Sequence, residues 1–160
     1  MTVERPQLRR FGDEGFIEAY GAAWGFRDLL PQFYAPDGTY TDMASQVTVK
    51  GHDALDRFMK VYLQFSPNCT VTFTNVQVSD VGFTAEWIWE GTSDGKLWLH
   101  GHECPQDGSS WTIPGVSVCT VDSEGRIATH VDYWDSQILL RVWAGGPSET
   151  PIFPGSVTSA

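Results

Sequence analysis

At 160 residues the chain is long enough to bury a proper hydrophobic core, and its length calls for one domain rather than two. Ten basic residues against twenty acidic ones leave a formal charge of -10, a field that repels phosphate backbones and anionic membranes, so neither nucleic acid nor a membrane is expected as a partner. The opening residues lack an apolar segment of signal-peptide length and no run approaches a membrane span, so a soluble, cytoplasmic protein is the expectation.

Taken in order, residues 1-11 read as a flexible leader. From Gly12, apolar residues return every three or four positions (Phe16-Ile17, Tyr20, Ala23-Trp24), with Asp13 and Glu14 where a first turn favours acids, which predicts a helix. A second short helix is expected over Phe26 to Tyr34, closed by a Pro36-Asp37-Gly38 turn. The strand Thr39 to Met43 follows, with Tyr40 and Asp42 on one face, then a short extended piece at Val47 to Val49. Ala54 to Phe65 is an amphipathic third helix beginning near Asp53, with His52 at its start. Beyond Ser66-Pro67-Asn68 the period changes to two. Thr70 to Val78 and residues 83-90 read as strands, the second with Phe83, Ala85, Trp87 and Trp89 on one face. Leu97 to His100 begins a further extended piece, and Cys104 to Ser110 breaks the regularity. Val116 to Val121 and Ile127 to Trp134 form a last hairpin around Asp122-Ser123-Glu124-Gly125. Asp135 then precedes helically spaced apolar residues, Ile138 to Trp143, and reads as their N-cap.

Helices first, then a long antiparallel meander and a closing helix, describe an α+β domain over residues 12-144. Residues 145-160 form a Pro/Gly/Ser-rich tail in which Ile152-Phe153 is placed to fold over an apolar opening. Cys69, Cys104 and Cys119 are odd in number and widely spaced, so free buried thiols are expected rather than disulfides or a thiolate metal site.

The stretch His130-Val131-Asp132-Tyr133-Trp134-Asp135 carries the strongest chemical signal. Alternation along a strand puts His130, Asp132 and Trp134 on one face, so a carboxylate sits between an imidazole and an indole, company that suits acid or base chemistry. The run Gly125-Arg126-Ile127, His130, Asp132-Tyr133-Trp134-Asp135 with Leu139-Leu140 in the following helix resembles the close of nuclear transport factor 2-like domains. The resemblance is greatest to SnoaL-type polyketide cyclases and limonene epoxide hydrolases, and extends to ketosteroid isomerase. It implies a cone: a curved, mostly antiparallel sheet with three N-terminal helices on its concave face, a short C-terminal helix, and a deep pocket between them. It also implies a catalytic aspartate at Asp132.

By the same resemblance, Tyr40-Thr41-Asp42 matches the early strand that positions water in limonene epoxide hydrolase, with aspartate in place of asparagine, and Asp42 matches in type the general base of ketosteroid isomerase. Two carboxylates in one apolar cavity cannot both ionise freely, which provides an acid and a base near neutral pH. The expected catalytic set is therefore Asp132, Asp42, Tyr40 as a hydrogen-bond donor, and His130 as an orienting group. Trp87, Trp89, Trp134, Phe58 and Tyr62 are the expected substrate-binding residues, suited to an apolar small molecule. The arginine-x-aspartate pair of the epoxide hydrolases has no counterpart between Val81 and Thr92, and Ser117 stands where SnoaL-type cyclases have a histidine. Cyclisation or isomerisation is accordingly placed ahead of epoxide opening, with a non-catalytic binding or dimerisation module as a third reading. His100 and His102, two apart and so on one strand face, suggest with His130 a facial metal site, but no metal and no cofactor are expected. A homodimer is expected under each reading.

Overall fold

The computed structural model describes residues 4-149, and the Ile152-Phe153 expectation lies outside them. Six strands form one curved mixed sheet: β1 (Tyr34–Asp42), β2 (Val47–Lys50), β3 (Thr70–Ser79), β4 (Gly82–Thr92), β7 (Ser110–Val121) and β8 (Ile127–Trp134). Their spatial order is β2-β1-β8-β7-β4-β3. Every neighbouring pair is antiparallel except β1 and β8, which run parallel. β5 (Trp98–Leu99) and β6 (His102–Glu103) make a separate two-stranded ribbon. Helix α1 (Phe16–Ala23) lies against β3, α2 (His52–Phe65) against β1 and β2, and α3 (Ser136–Trp143) against β7. The expected α+β architecture with an open, cone-like sheet is the one observed.

Several local expectations need correction. Gly15 takes a left-handed φ of 74°, so the first helix starts at Phe16, and Asp13 instead accepts a hydrogen bond from the Arg10 backbone at 2.7 Å. The second helix is reduced to a 3₁₀ turn, Leu30–Phe33, with Pro31 near its start. Pro36-Asp37-Gly38 does not end it but bulges out of β1: Tyr34 pairs with Ile127 and Thr39 with Thr129, five residues against two. Gly38 is required there, because a Cβ would come within 2.8 Å of the Ile127 carbonyl oxygen. β7 begins six residues before Val116 and tolerates Pro114 inside it, because there β7 pairs with β4 while pairing with β8 starts only at Gly115.

Residues 4-11 are fastened to the body rather than loose. Arg5 forms a bidentate pair with Asp28 at 3.0 and 2.7 Å and lies over the Phe26 ring, Arg10 donates to the Gln32 carbonyl, and the Phe11 amide donates to Gly125. Asp135 caps α3 as expected, accepting from the Gln137 amide at 2.9 Å. All three cysteines are free and buried.

Two aromatic clusters make up the interior. One gathers Phe16, Tyr20, Trp24, Phe33, Tyr34, Tyr40, Leu55, Met59 and Phe83 under α1 and α2. The other gathers Phe65, Trp87, Trp89, Trp111, Ile113 and the inner face of α3. Tyr62, Leu63, Val71 and Phe73 pack against both, so the clusters meet along a seam.

Candidate active site

Sheet register assembles the site. Asp42 on β1 pairs with Asp132 on β8, which pairs in turn with Ser117 on β7. One row away, Tyr40 pairs with His130, and His130 with Cys119. Residues directly opposite each other on one face lie close together, so the two rows bring the Tyr40, Asp42, Ser117, His130 and Asp132 side chains into one patch on the concave face.

Asp132 is held by three donors. Ser117 donates to its Oδ1 at 2.5 Å, His130 Nε2 lies on the same oxygen at 2.6 Å, and the Tyr40 hydroxyl donates to Oδ2 at 2.8 Å. The Trp87 indole donates to Ser117 Oγ at 2.9 Å and so fixes the direction of the serine proton. On its other nitrogen His130 meets the Tyr20 hydroxyl at 2.6 Å, and Tyr20 meets Tyr34 at 2.7 Å. The result is a continuous buried chain from Tyr34 to Asp132. Burial opposes the imidazolium, but Asp132 first, the Cys119 sulfur second, and hydrogen bonds to both outweigh it and push the His130 pKa up to about 10. At neutral pH His130 is therefore an imidazolium, with Nε2–H donating to Asp132 and Nδ1–H to Tyr20. Burial, followed by the charges of Asp132 and Asp42, drives the Tyr40 hydroxyl well above the usual tyrosine range and keeps it a donor.

Asp42 has a different environment. Burial raises its pKa, with the Asp132 charge acting the same way against hydrogen bonds from the Ser45 amide and the Trp134 indole. Both donors go to Oδ1, at 3.1 and 2.9 Å. Two carboxyl groups thus stand side by side, one held by three donors and one whose pKa burial raises.

A cavity of about 50 Å³ opens over this patch, bordered by Asp42, Ser117, His130 and Asp132 and walled by aromatics that include Trp24, Trp87 and Trp89. Of the residues expected to bind substrate, Trp87, Trp89, Trp134 and Tyr62 border it. Phe58 does not; it lines a second cavity of about 80 Å³ beyond Trp134 and Trp89. Tyr40 also stays out of the cavity lining, its hydroxyl being committed to Asp132 rather than to a ligand or water. The histidine pair is separated by geometry: His100 and Gly101, with φ of 50° and 80°, are the two turn residues between β5 and β6, so His100 and His102 do not share a strand face. His100 Nε2 lies 2.7 Å from the Ala44 carbonyl.

The SnoaL-like domain model matches residues 14–130, well over half of the chain. The chain belongs to the SnoaL-like domain family. The matched segment stops two residues before Asp132. Solved structures similar to this SnoaL-like chain include a candidate SnoaL-like polyketide cyclase from Jannaschia sp. CCS1, with TM-score 0.69 and 20% identity over 84% of this chain and 92% of that one. A ketosteroid isomerase-like fold protein from Catenulispora acidiphila, solved with trimethylamine, gives TM-score 0.66 and 22% identity over 84% and 96% of the two chains. The epoxide hydrolase/cyclase-like enzyme SalBIII, of pyran ring formation in salinomycin, gives 0.62 and 14% over 76% and 88%. At these identities the likeness is one of fold. No curated protein matches the chain.

Three residues of the site are not singled out by the sequence. In the sequence Ser117 stands out only as a departure from the histidine of the cyclases, although its place opposite Asp132 is what the hairpin register dictates. Tyr20 and Tyr34 look like core aromatics in the sequence, and nothing in their spacing indicates that their hydroxyls meet His130 across the fold.

Proposed function

We propose that the protein is a cofactor-independent acid/base enzyme that acts on an apolar, oxygenated small molecule by cyclisation or isomerisation. The observation that carries this reading is the pairing of Asp42 with Asp132 in register at the wall of one aromatic cavity. A carboxylate has about four lone-pair directions, and Asp132 has three of them occupied, which leaves one for a substrate proton. Asp132 takes a proton from a carbon next to a carbonyl. Asp42, whose pKa burial raises, is assigned the acid's part toward the oxygen on which charge develops. The enolate or enol so formed then closes a ring or accepts a proton at another carbon. His130 holds Asp132 in position through the hydrogen bond from its protonated ring.

The test is turnover of β-keto esters, unsaturated ketones and terpene epoxides by wild type, Asp132→Asn and Asp42→Asn, with folding matched by circular dichroism. Loss of one and the same activity by ~10²-fold or more in both variants is expected. Equal turnover by variants and wild type would overturn the reading. Epoxide opening ranks lower because the Tyr40 hydroxyl serves Asp132 rather than a water. A binding module without turnover is favoured by one observation, the near-saturation of Asp132, and predicts ligand binding that both variants retain.

A further inference from the structure

The second cavity, of about 80 Å³, shares Asp42, Tyr62, Trp89 and Trp134 with the first and adds Phe58, Phe65, Leu97, Trp98 and Leu99 among its walls. Neither chamber alone holds a six-membered ring with ease: an apolar cavity that takes up benzene measures ~150 Å³. Joined, the two approach that size. In their common wall Trp134 is fixed at its indole nitrogen by one hydrogen bond, to Asp42.

The outer walls are flat. Phe58 and Tyr62, one turn apart on α2, stack at 6.3 Å with planes 20° apart, and Tyr62 stacks on Trp89 at 5.7 Å and 17°. Beside them Trp98 is 63% exposed, an indole left in water on a ribbon that His100 ties to the Ala44 carbonyl. Large aromatics exposed next to an apolar hollow mark places where a ligand completes the burial. Asp42 is the carboxyl group in the shared wall, and the charge of -10 disfavours an anion beside it.

We propose that the outer cavity is a second binding subsite, which takes the flat ring body of a neutral, oxygen-bearing ligand between Trp98 and the Phe58–Tyr62 row while the ligand's oxygen lies against Asp42. Trp134 is then the specificity-determining residue, because its position decides whether a ring can reach across both chambers. The subsite deepens the proposed function by naming its substrate class, and rests on it for the assignment of the inner chamber as the reacting end.

Calorimetric titration of three probes separates the two claims: 2-pyranone, a single neutral ring; coumarin, the same ring with a second fused to it; and coumarin-3-carboxylate, its anion. Coumarin is expected to bind ~10-fold tighter than 2-pyranone, and its carboxylate ~10-fold weaker than coumarin. Trp98→Ala, at an exposed position that does not threaten folding, is expected to weaken coumarin ~5-fold while changing 2-pyranone less than ~2-fold. The subsite is overturned if coumarin binds no tighter than 2-pyranone, if Trp98→Ala leaves both unchanged, or if the carboxylate binds as well as coumarin. Loss of turnover in Asp132→Asn without this selectivity removes the subsite and leaves the acid/base reading standing. The selectivity without any turnover keeps the subsite and removes the enzyme.

Discussion

Ser117 carries more than its size suggests. It is the acceptor for the Trp87 indole and a donor to Asp132, so Ser117→Ala leaves one buried donor unsatisfied and takes a hydrogen bond from a buried carboxylate. A stability loss of ~1–3 kcal/mol is expected, read as a lowered urea midpoint at unchanged slope. His130 supplies a pH signature. Its folded-state pKa is raised, so the stability it contributes is full below its ordinary value of ~6.5 and is lost as pH rises through about 10. Tyr20, Tyr34 and Tyr40 are also raised, chiefly by burial, and add to the alkaline side of the same loss. Urea midpoints measured from pH 6 to 10.5 should fall in wild type, and the fall should be smaller in His130→Gln; equal slopes in the two proteins would refute the imidazolium assignment.

Among the elements, α3 and β7 depend on single local devices. Asp135 satisfies an otherwise orphan amide at the start of α3, whose inner face, Ile138, Leu139 and Val142, closes the second aromatic cluster. Asp135→Ala should cost ~1 kcal/mol. For a chain of this length that lowers the melting temperature by ~2–4 °C, measurable by calorimetry. In β7, Gly115 lies between Trp134 on β8 and Trp87 on β4, and a Cβ there would run into the Trp87 ring. Gly115→Ala is therefore expected to displace Trp87, free Ser117 and cost ~1–3 kcal/mol as an overpacked site. A melting temperature within 1 °C of wild type would show that the ring yields cheaply.

For the molecule as a whole, the site occupies the seam between two aromatic clusters that neither helices nor sheet fill completely. Their walls supply the apolar surroundings that desolvate Asp42, while the six-stranded sheet fixes the carboxyl groups on neighbouring strands. The charge of -10 acts at the same scale through self-repulsion. Raising sodium chloride from ~10 to ~150 mM shortens the Debye length from ~30 to ~8 Å and should raise the melting temperature. No change, or a fall, would mean that the exposed ion pairs, such as Arg5–Asp28 and Arg27–Asp56, outweigh the repulsion.

The sequence by itself determined the class of fold, the Asp135 cap, the inward faces of β4 and β8, and the candidacy of Asp132, Asp42 and His130. These are properties of periodicity and of residues near one another along the chain, which local sterics and the hydrophobic effect express directly. It misplaced what depends on a distant partner: the Pro36–Gly38 segment reads as a turn until β8 is laid beside it, and residues 4-11 read as loose until Asp28, Gln32 and Gly125 come within reach. Only the tertiary structure decided that Tyr40 serves Asp132, that Ser117 joins it, and that Tyr20 and Tyr34 reach His130. Those hydrogen bonds span from 14 to 110 positions of sequence. A contact across so many positions leaves no periodicity to read, because it is fixed by strand register and by how two clusters meet rather than by any residue's neighbours.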